Sequence, residues 1–154
     1  MQDLKEDMKI IVAEINVLLN RYIEIHNDVF KFSLRKIIPL PFVFKTIDFN
    51  ELHNKAKQIL AELEVSNKRI NSLIKYVHQK ESLFAHFLAE YCAALIETVS
   101  LLKRILYQLY LKSENSNEYN LSEHNKMLKS YEETVNKYSA IGTRLNKLYQ
   151  ESIQ

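Results

Sequence analysis

Apolar residues recur at alternating spacings of three and four along the N-terminal segment of the chain. The series is Leu4, Met8, Ile11, Ile15, Leu18, Tyr22, Ile25, Val29 and Phe32. A seven-residue repeat of this kind keeps one stripe of a helix facing its partners when the helices supercoil left-handedly. Ile10, Leu19 and Ile23 widen the stripe beyond a two-stranded seam. This width is typical of a helix in a bundle core.

Glycine and proline are scarce, with one glycine and two prolines among 154 residues. Turns and strand-rich folds use both residues freely, so their scarcity favours a few long helices joined by few turns. The length fits one domain with its own core. We therefore predict a single all-α domain over residues 1–154, an antiparallel up-down-up-down four-helix bundle with coiled-coil-like heptad packing.

The predicted helices cover residues 3–34, 48–79, 82–112 and 121–152. Pro39 and Pro41 cannot continue the first helix. Two of the other predicted helices begin with a capping box, in which a side chain accepts a hydrogen bond from the free backbone N–H three residues later. The two pairs are Asp48 with Glu51 and Asn120 with Glu123. The second boundary is less constrained, because the apolar stripe lapses near residue 80 and also near residue 66. A break near residue 80 gives four helices of similar length, about 45 Å each, and is therefore favoured.

The third predicted helix is apolar on two faces. One face holds Phe84, Phe87, Leu88, Tyr91, Leu95, Leu102, Ile105 and Leu109. The second face holds Cys92, Ile96, Val99, Leu106 and Tyr110. A helix of this kind is either central in its own fold or buried by another chain. The second face is accordingly predicted to be an oligomer interface.

The connection between the first two helices is unusually apolar and is flanked by cations. Its predicted partner-binding residues are Ile37, Ile38, Leu40, Phe42, Phe44, Arg35 and Lys36. One interpretation is a cap that closes the bundle core. A second is an exposed docking element for a protein partner, since large apolar patches mark interaction sites. A third places residues 37–44 at a membrane surface, with the cations on lipid phosphates.

Several kinds of site are disfavoured by the residues available. A di-iron bundle needs Glu-x-x-His pairs, and the sequence has none. A glycine-rich phosphate loop is excluded by the single glycine, Gly142. We therefore expect no metal, no cofactor and no small-molecule substrate. The lone Cys92 forms no intramolecular disulfide and favours a reducing, cytoplasmic location.

The N-terminal charges are mixed and apolar runs are interrupted, so we expect neither a signal peptide nor a membrane span. The third predicted helix is the nearest candidate for a span. Glu90, Glu97, Lys103 and Arg104 are among the charged residues that interrupt it.

Arg21 and His26 form an Arg-x4-His spacing on the first helix. This resembles the motif of HEPN-type ribonucleases, in which an arginine and a histidine serve RNA cleavage in a helical dimer. The resemblance covers these two residues alone. It departs from the family pattern at Tyr22, where a small polar residue usually follows the arginine, and in lying on the first helix. It implies a HEPN-like ribonuclease as an alternative function.

The sequence has the apolar pattern of a helical bundle but no cluster of polar residues that could form a catalytic site. This combination favours a non-enzymatic interaction protein. It would be an adaptor, a chaperone-like protein or an assembly subunit that binds a protein partner and can form a homo-oligomer. The formal net charge of +2 is too small to imply nucleic acid by itself. A nucleic-acid-binding or virion structural bundle is the second alternative.

Overall fold

A computed structural model of the chain describes residues 4–35 and 47–152. These residues form four helices and no strand: α1 Leu4–Arg35, α2 Phe49–Ile74, α3 Gln79–Ser113 and α4 Leu121–Ser152. The helices pack around one apolar core to which all four contribute. The predicted all-α, four-helix architecture is confirmed.

The apolar stripe of α1 faces this core. Its buried members are Met8, Ile11, Ile15, Leu18, Tyr22, Ile25 and Val29. Residues three and four apart lie on the same side of a helix, so the spacing alone puts these side chains on one face. Burial of this face holds α1 against its neighbours, since apolar burial stabilises by about 25 cal/mol per Å².

α3 is the central helix of the fold, because it contacts α1, α2 and α4. Cys92, Val99 and Leu106, on its second apolar face, are fully buried by the chain's own helices, while Ile96 and Tyr110 are half-buried. The structure thereby corrects the predicted oligomer interface. The second face exists because α3 has neighbours on several sides.

α3 is also long and apolar enough to cross a membrane, by length and composition, over Glu81–Ser113. Half of the residues in its most apolar window are buried inside the bundle. The core helix of a bundle passes the same test, so this composition is weak evidence for a membrane span.

The turn between α2 and α3 lies at residues 75–78, earlier than predicted. The amide of Tyr76 donates to the carbonyl of Leu73 at 2.9 Å and closes the end of α2. The polar stretch that begins at Gln79 is the first turn of α3, with Glu81 at the positive end of the helix dipole. α2 therefore has 26 residues and α3 has 35, unlike the matched lengths expected. Helix α2 is continuous through residue 66, so the alternative break there is wrong.

Both predicted capping residues accept the expected hydrogen bonds. The Asp48 carboxylate accepts from the amide of Glu51 at 3.0 Å. The Asn120 side chain accepts from the amide of Glu123, also at 3.0 Å. Each bond satisfies an amide that has no partner within its helix.

α1 and α4 are widely separated. Among the described residues, no Cα atom of α1 lies within 8 Å of a Cα atom of α4. Aromatic side chains span part of the gap: the Tyr22 and Tyr131 hydroxyls are 2.6 Å apart, and Tyr22 packs edge-on against Tyr138 with ring centroids 5.9 Å apart. The tyrosines at the core positions of α4 therefore bridge a distance that shorter apolar side chains would leave open.

Most of the predicted docking segment lies outside the described residues. This holds for Lys36 and for residues 37–44, and the side chain of Arg35, the last residue of α1, is likewise outside them. The docking, capping and membrane interpretations of this segment all stay predictions. Ile47, where the description resumes, packs against the core.

Truncation of a central α3 side chain is expected to be costly. Leu102 is fully buried, so Leu102→Ala should lower the free energy of unfolding by about 2–5 kcal/mol, measured by urea denaturation. Leu83, on the same helix but 54% exposed, is the matched control. Leu83→Ala should change stability by less than about 0.5 kcal/mol. Equal effects of the two substitutions would contradict the central position of α3.

Candidate functional site

An open groove lies between α1 and α4 in the described part of the chain. Its cavity volume is about 350 Å³. The floor is formed by Phe84 and Leu88 of α3. The walls are formed by apolar side chains of α1 and α4: Val12, Ile15 and Leu19 on one side, and Leu145 and Tyr149 on the other. We call this feature the α1–α4 groove.

The rim of the α1–α4 groove is polar. Asn16 and Asn146 stand on opposite edges, and Lys9 is the one charged residue in the lining. The Lys9 ammonium lies 3.7 Å from the carboxylate of Glu6, one turn earlier on α1. Both groups are largely exposed, so this pair is weak and Lys9 stays available to a ligand. An apolar floor with a polar rim is the usual anatomy of a protein-binding surface.

Gly142 shapes one wall of the groove. A Cβ atom at this position would lie 3.0 Å from Cε2 of Tyr91, closer than ordinary carbon contacts of about 3.5–4.0 Å. The ring of Tyr91 therefore packs directly on the backbone of α4. The absence of a side chain at Gly142 permits this close approach.

Farther along α1, a hydrogen-bonded cluster fills the gap between the same two helices. The Tyr131 hydroxyl lies 2.7 Å from Nδ1 of His26 and 2.6 Å from the Tyr22 hydroxyl. Phe30 stacks on the Tyr131 ring at a centroid distance of 5.4 Å. The groove is therefore open at one end of α1 and closed by this cluster toward the other.

Burial sets the protonation states of the cluster. It raises the pKa of Tyr22, with further increases from Tyr131 and Tyr138. It also raises the pKa of Tyr131 and lowers the pKa of His26. With both phenols and the imidazole neutral, the Tyr131 hydroxyl takes part in both hydrogen bonds, donating in one and accepting in the other. A buried network in which every member is satisfied fixes the packing of the helices that carry it.

The two residues of the ribonuclease-like spacing are not brought together. Arg21 donates from one guanidinium nitrogen to both carboxylate oxygens of Glu62 on α2, at 3.0 and 3.1 Å. His26 bonds instead to Tyr131 on α4. Residues five apart point to different sides of a helix, and here each has its own partner. The structure therefore gives Arg21 and His26 structural contacts and no shared cleft.

Cys92 is placed as a structural residue. Its thiol is fully buried and directed toward the Leu63 carbonyl, with 3.6 Å between sulfur and oxygen. Burial raises the pKa of the thiol to about 12. Since the thiolate is the nucleophilic form, the side chain is unreactive at neutral pH.

A second, smaller cleft combines cations with aromatic rings. Its lining includes His53, Lys103, Arg104, Tyr107 and Glu123, and its volume is about 230 Å³. The His53 and Tyr107 rings are 5.9 Å apart. Neither Lys103 nor Arg104 has a carboxylate within 4.0 Å among the described residues. We call this feature the basic cleft.

Residues 4–35 and 47–152 contain no group of three or more His, Cys, Asp or Glu side chains placed to hold a metal ion. One buried side-chain atom among them has no partner: Nδ1 of His124, near the start of α4. Burial, with a contribution from Lys112, lowers the pKa of His124. The imidazole is therefore accommodated neutral.

Comparisons with known proteins give the chain no relative. No family model matches it, and neither a curated protein nor a solved structure is significantly similar to it. The groove and the basic cleft must be interpreted from their own chemistry.

The α1–α4 groove was not predicted from the sequence. Periodicity tells which face of a helix is buried, but it does not give the distance between two helices. Two signals pointed to this seam: the tyrosines at core positions of α4, and Gly142 on the same helix. Together they indicate that the core-facing surface of α4 is uneven, with long tyrosine side chains at some turns and no side chain at Gly142.

Acid is expected to destabilise the fold. His26, His53 and His124 have a pKa lowered by burial, and Lys103 and Lys57 lower that of His53 further. Below the unfolded value of about 6.5 the unfolded chain binds more protons than the folded one. The free energy of unfolding should therefore fall as pH drops through the window between that value and the lowered folded values, and it is retained above it.

Urea denaturation at about pH 7.5 and pH 5.5 measures this loss, since these values lie on either side of the usual histidine pKa. His26→Gln should reduce the loss, because one of the three groups is removed. Stability that rises on acidification would contradict the burial of neutral histidines.

Proposed function

We propose that this chain is a non-enzymatic interaction protein of the adaptor, chaperone-like or assembly-subunit type. In this proposal the α1–α4 groove receives an amphipathic helix from a protein partner. The observation that carries it is the separation of α1 and α4 over an apolar floor. Both walls present half-buried apolar side chains that no other helix covers in the described part of the chain.

The dimensions of the groove suit a short helix. Its α1 wall runs from Lys9 to Leu19, about 15 Å, and its α4 wall runs from Gly142 to Tyr149, about 10 Å. A helix docked in a groove anchors through residues at i, i+3 or i+4, and i+7, which span about 10 Å. The walls therefore match one such anchor set.

The charge of the lining favours one kind of partner. Lys9 is its one charged residue, and no carboxylate lines the groove. An acidic residue beside the apolar face of the partner helix would meet Lys9, whereas a cation there would be repelled. We expect an amphipathic helix with an acidic flank.

The non-enzymatic part of the proposal is supported by the contacts of the side chains that could react. Cys92 is buried as a thiol, and Arg21 and His26 have separate structural partners. A cytoplasmic location belongs to the proposal and is favoured by the single, unpaired cysteine.

The arrangement of the helices is proposed to be antiparallel, up-down-up-down, with coiled-coil-like heptads. The order of cross-helix pairs supports this for α1 and α2. Glu14 pairs with Arg69, whereas Arg21, farther along α1, pairs with Glu62, which is earlier on α2.

Filling the groove should abolish partner binding without unfolding the bundle. Ala13 lines the groove and is exposed, so Ala13→Trp places an indole in it at little cost to the core. Ala61→Trp, at an exposed position on α2 outside the groove, is the matched control. A photo-crosslinking amino acid at Asn16 in the native host should capture the partner. Calorimetry with the purified partner should then show binding at least about tenfold weaker for Ala13→Trp alone, a difference of about 1.4 kcal/mol.

Two outcomes count against the groove as a docking site. One is equal affinity of the wild type and both tryptophan variants for the captured partner. The other is crosslinking from Asn16 that never reaches a second protein.

Nucleic-acid binding is the second candidate function, and the basic cleft favours it. Lys103 and Arg104 can meet phosphates, while the exposed Tyr107 ring beside His53 offers a stacking surface for a base. Glu123 on the same cleft opposes an anion, and this makes the cleft weaker support than the groove.

Anisotropy with a single-stranded oligonucleotide separates the two candidates. Binding through the basic cleft should weaken steeply with added salt. It should weaken further in Lys103→Glu/Arg104→Glu than in the charge-matched control Lys68→Glu/Lys129→Glu. No binding at low salt, or equal loss in both variants, removes this candidate.

A further inference from the structure

The surface formed jointly by α1 and α2 carries a checkerboard of charges. Arg21 of α1 bonds to Glu62 of α2 at 3.0 Å, and Arg69 of α2 pairs with Glu14 of α1. Along α1 the order is therefore negative and then positive, while beside it on α2 the order is positive and then negative. All four side chains are between one third and a little over one half exposed.

Two valines occupy the centre of this checkerboard. Val17 is 59% exposed and Val65 is 58% exposed. They line one shallow cleft, of about 450 Å³, together with Glu14, Glu62 and Arg69. We call this surface, with its four charges and two valines, the α1–α2 face.

The charge pattern continues toward the end of α1. Glu24 and Asp28 of α1 lie beside Lys55 of α2 along a second shallow cleft. At this level α1 is negative, while Lys55 of α2 also pairs with Glu51 of its own helix at 2.6 Å. The two helices thus carry clear opposite charges at two levels of this surface, with Lys55 beside the carboxylates of α1 at a third.

This pattern is complementary to itself. Consider a second copy related by a twofold axis that runs parallel to the helices through the middle of the face. The axis places α1 of each copy over α2 of the other at matching levels. Glu14 then faces Arg69 of the second copy, Arg21 faces Glu62 and Val17 faces Val65. Lys55 likewise faces the carboxylates of Glu24 and Asp28.

Each charge in such a pair of copies has opposite charges on two sides, its own partner and that of the second copy, while like charges lie on the diagonals. A network of this kind is worth more than an isolated exposed ion pair, which contributes little. The paired valines remove apolar surface from water at the centre. A symmetric interface must match itself in this way, and a random charged surface does not.

We infer that the α1–α2 face binds a second copy of this chain and forms a twofold dimer. The face is separate from the α1–α4 groove, and the inference does not depend on the proposed partner helix. From Glu14 to Asp28 the surface is about 21 Å long and two helices wide, roughly 400 Å² per copy. A standard stable interface buries about 800 Å² per partner, so the dimer is weak and reversible.

A charge-swapped chain tests this inference. Glu14→Arg, Arg21→Glu, Glu62→Arg and Arg69→Glu together keep every intrachain pair and the net charge. Wild type alone and the swapped chain alone should both dimerise in sedimentation experiments over a concentration series. In a mixture, like charges would meet across the face. Mixed dimers, followed by energy transfer between two labels, should be at least about tenfold less abundant than random mixing gives, equivalent to about 1.4 kcal/mol.

A second pair of variants covers the case in which the swapped chain does not fold. Val17→Asp should abolish dimerisation while helicity is kept. Leu83→Asp, at a similarly exposed position on α3, should leave dimerisation unchanged.

Three results would overturn the inference. One is a wild-type chain that stays monomeric at every concentration. Another is a mixture in which wild-type and swapped chains pair as readily as identical ones. The last is a dimer that survives Val17→Asp. Ala13→Trp, which blocks the groove, should not affect dimerisation, so failure of one proposal is distinguishable from failure of the other.

Discussion

The wide spacing of α1 and α4 is the constraint on which the rest of this structure depends. α1 packs on α2 and α3, and α4 packs on α3, so the α1–α4 seam is left without close backbone contact. Tyr22, Tyr131 and His26 close part of that seam through a buried hydrogen-bonded cluster. Where the cluster ends, the seam opens into the groove. One geometric fact thus produces both a buried hydrogen-bonded cluster in the core and an apolar groove.

The same spacing explains why α3 has an apolar surface on so many sides. Because α1 packs against α3 and not against α4, α3 contacts each of the other three helices. Cys92 and Leu106 then lie in the core although they are off the main stripe. An apolar face that could have served association is used inside the fold. Within residues 4–35 and 47–152, the surfaces that we propose for other molecules are the α1–α4 groove, the basic cleft and the α1–α2 face.

Much of this fold could be predicted from the sequence because helix periodicity is a local signal. The buried residues of α1, the caps at Asp48 and Asn120, and the number of helices all follow from residues a few positions apart. The turn after α2 was harder to predict, since Val77 continues the apolar spacing although it packs on the core from outside a helix. No glycine or proline marks that end.

The candidate site was less predictable, because it depends on distances between helices. The pairing of Arg21 with Glu62 joins residues that are far apart in the sequence, and no spacing rule connects them. The alternation of charge on α1 and α2 is visible in the sequence, yet its register becomes known once the helices are side by side. Gly142 and the tyrosines of α4 were the local signals, and the structure shows Tyr91 in close contact with Gly142.

Site-resolved NMR titration of the tyrosine side chains tests the bridged seam most directly. Burial raises the pKa of Tyr22 and Tyr131 above the usual value near 10. Both signals are expected to keep the position of a neutral phenol at about pH 10.5, where an ordinary tyrosine is mostly ionised. A midpoint near pH 10 for either residue, in a chain that circular dichroism shows to be still helical, would contradict this expectation. The α1–α4 seam would then be open to water along its whole length.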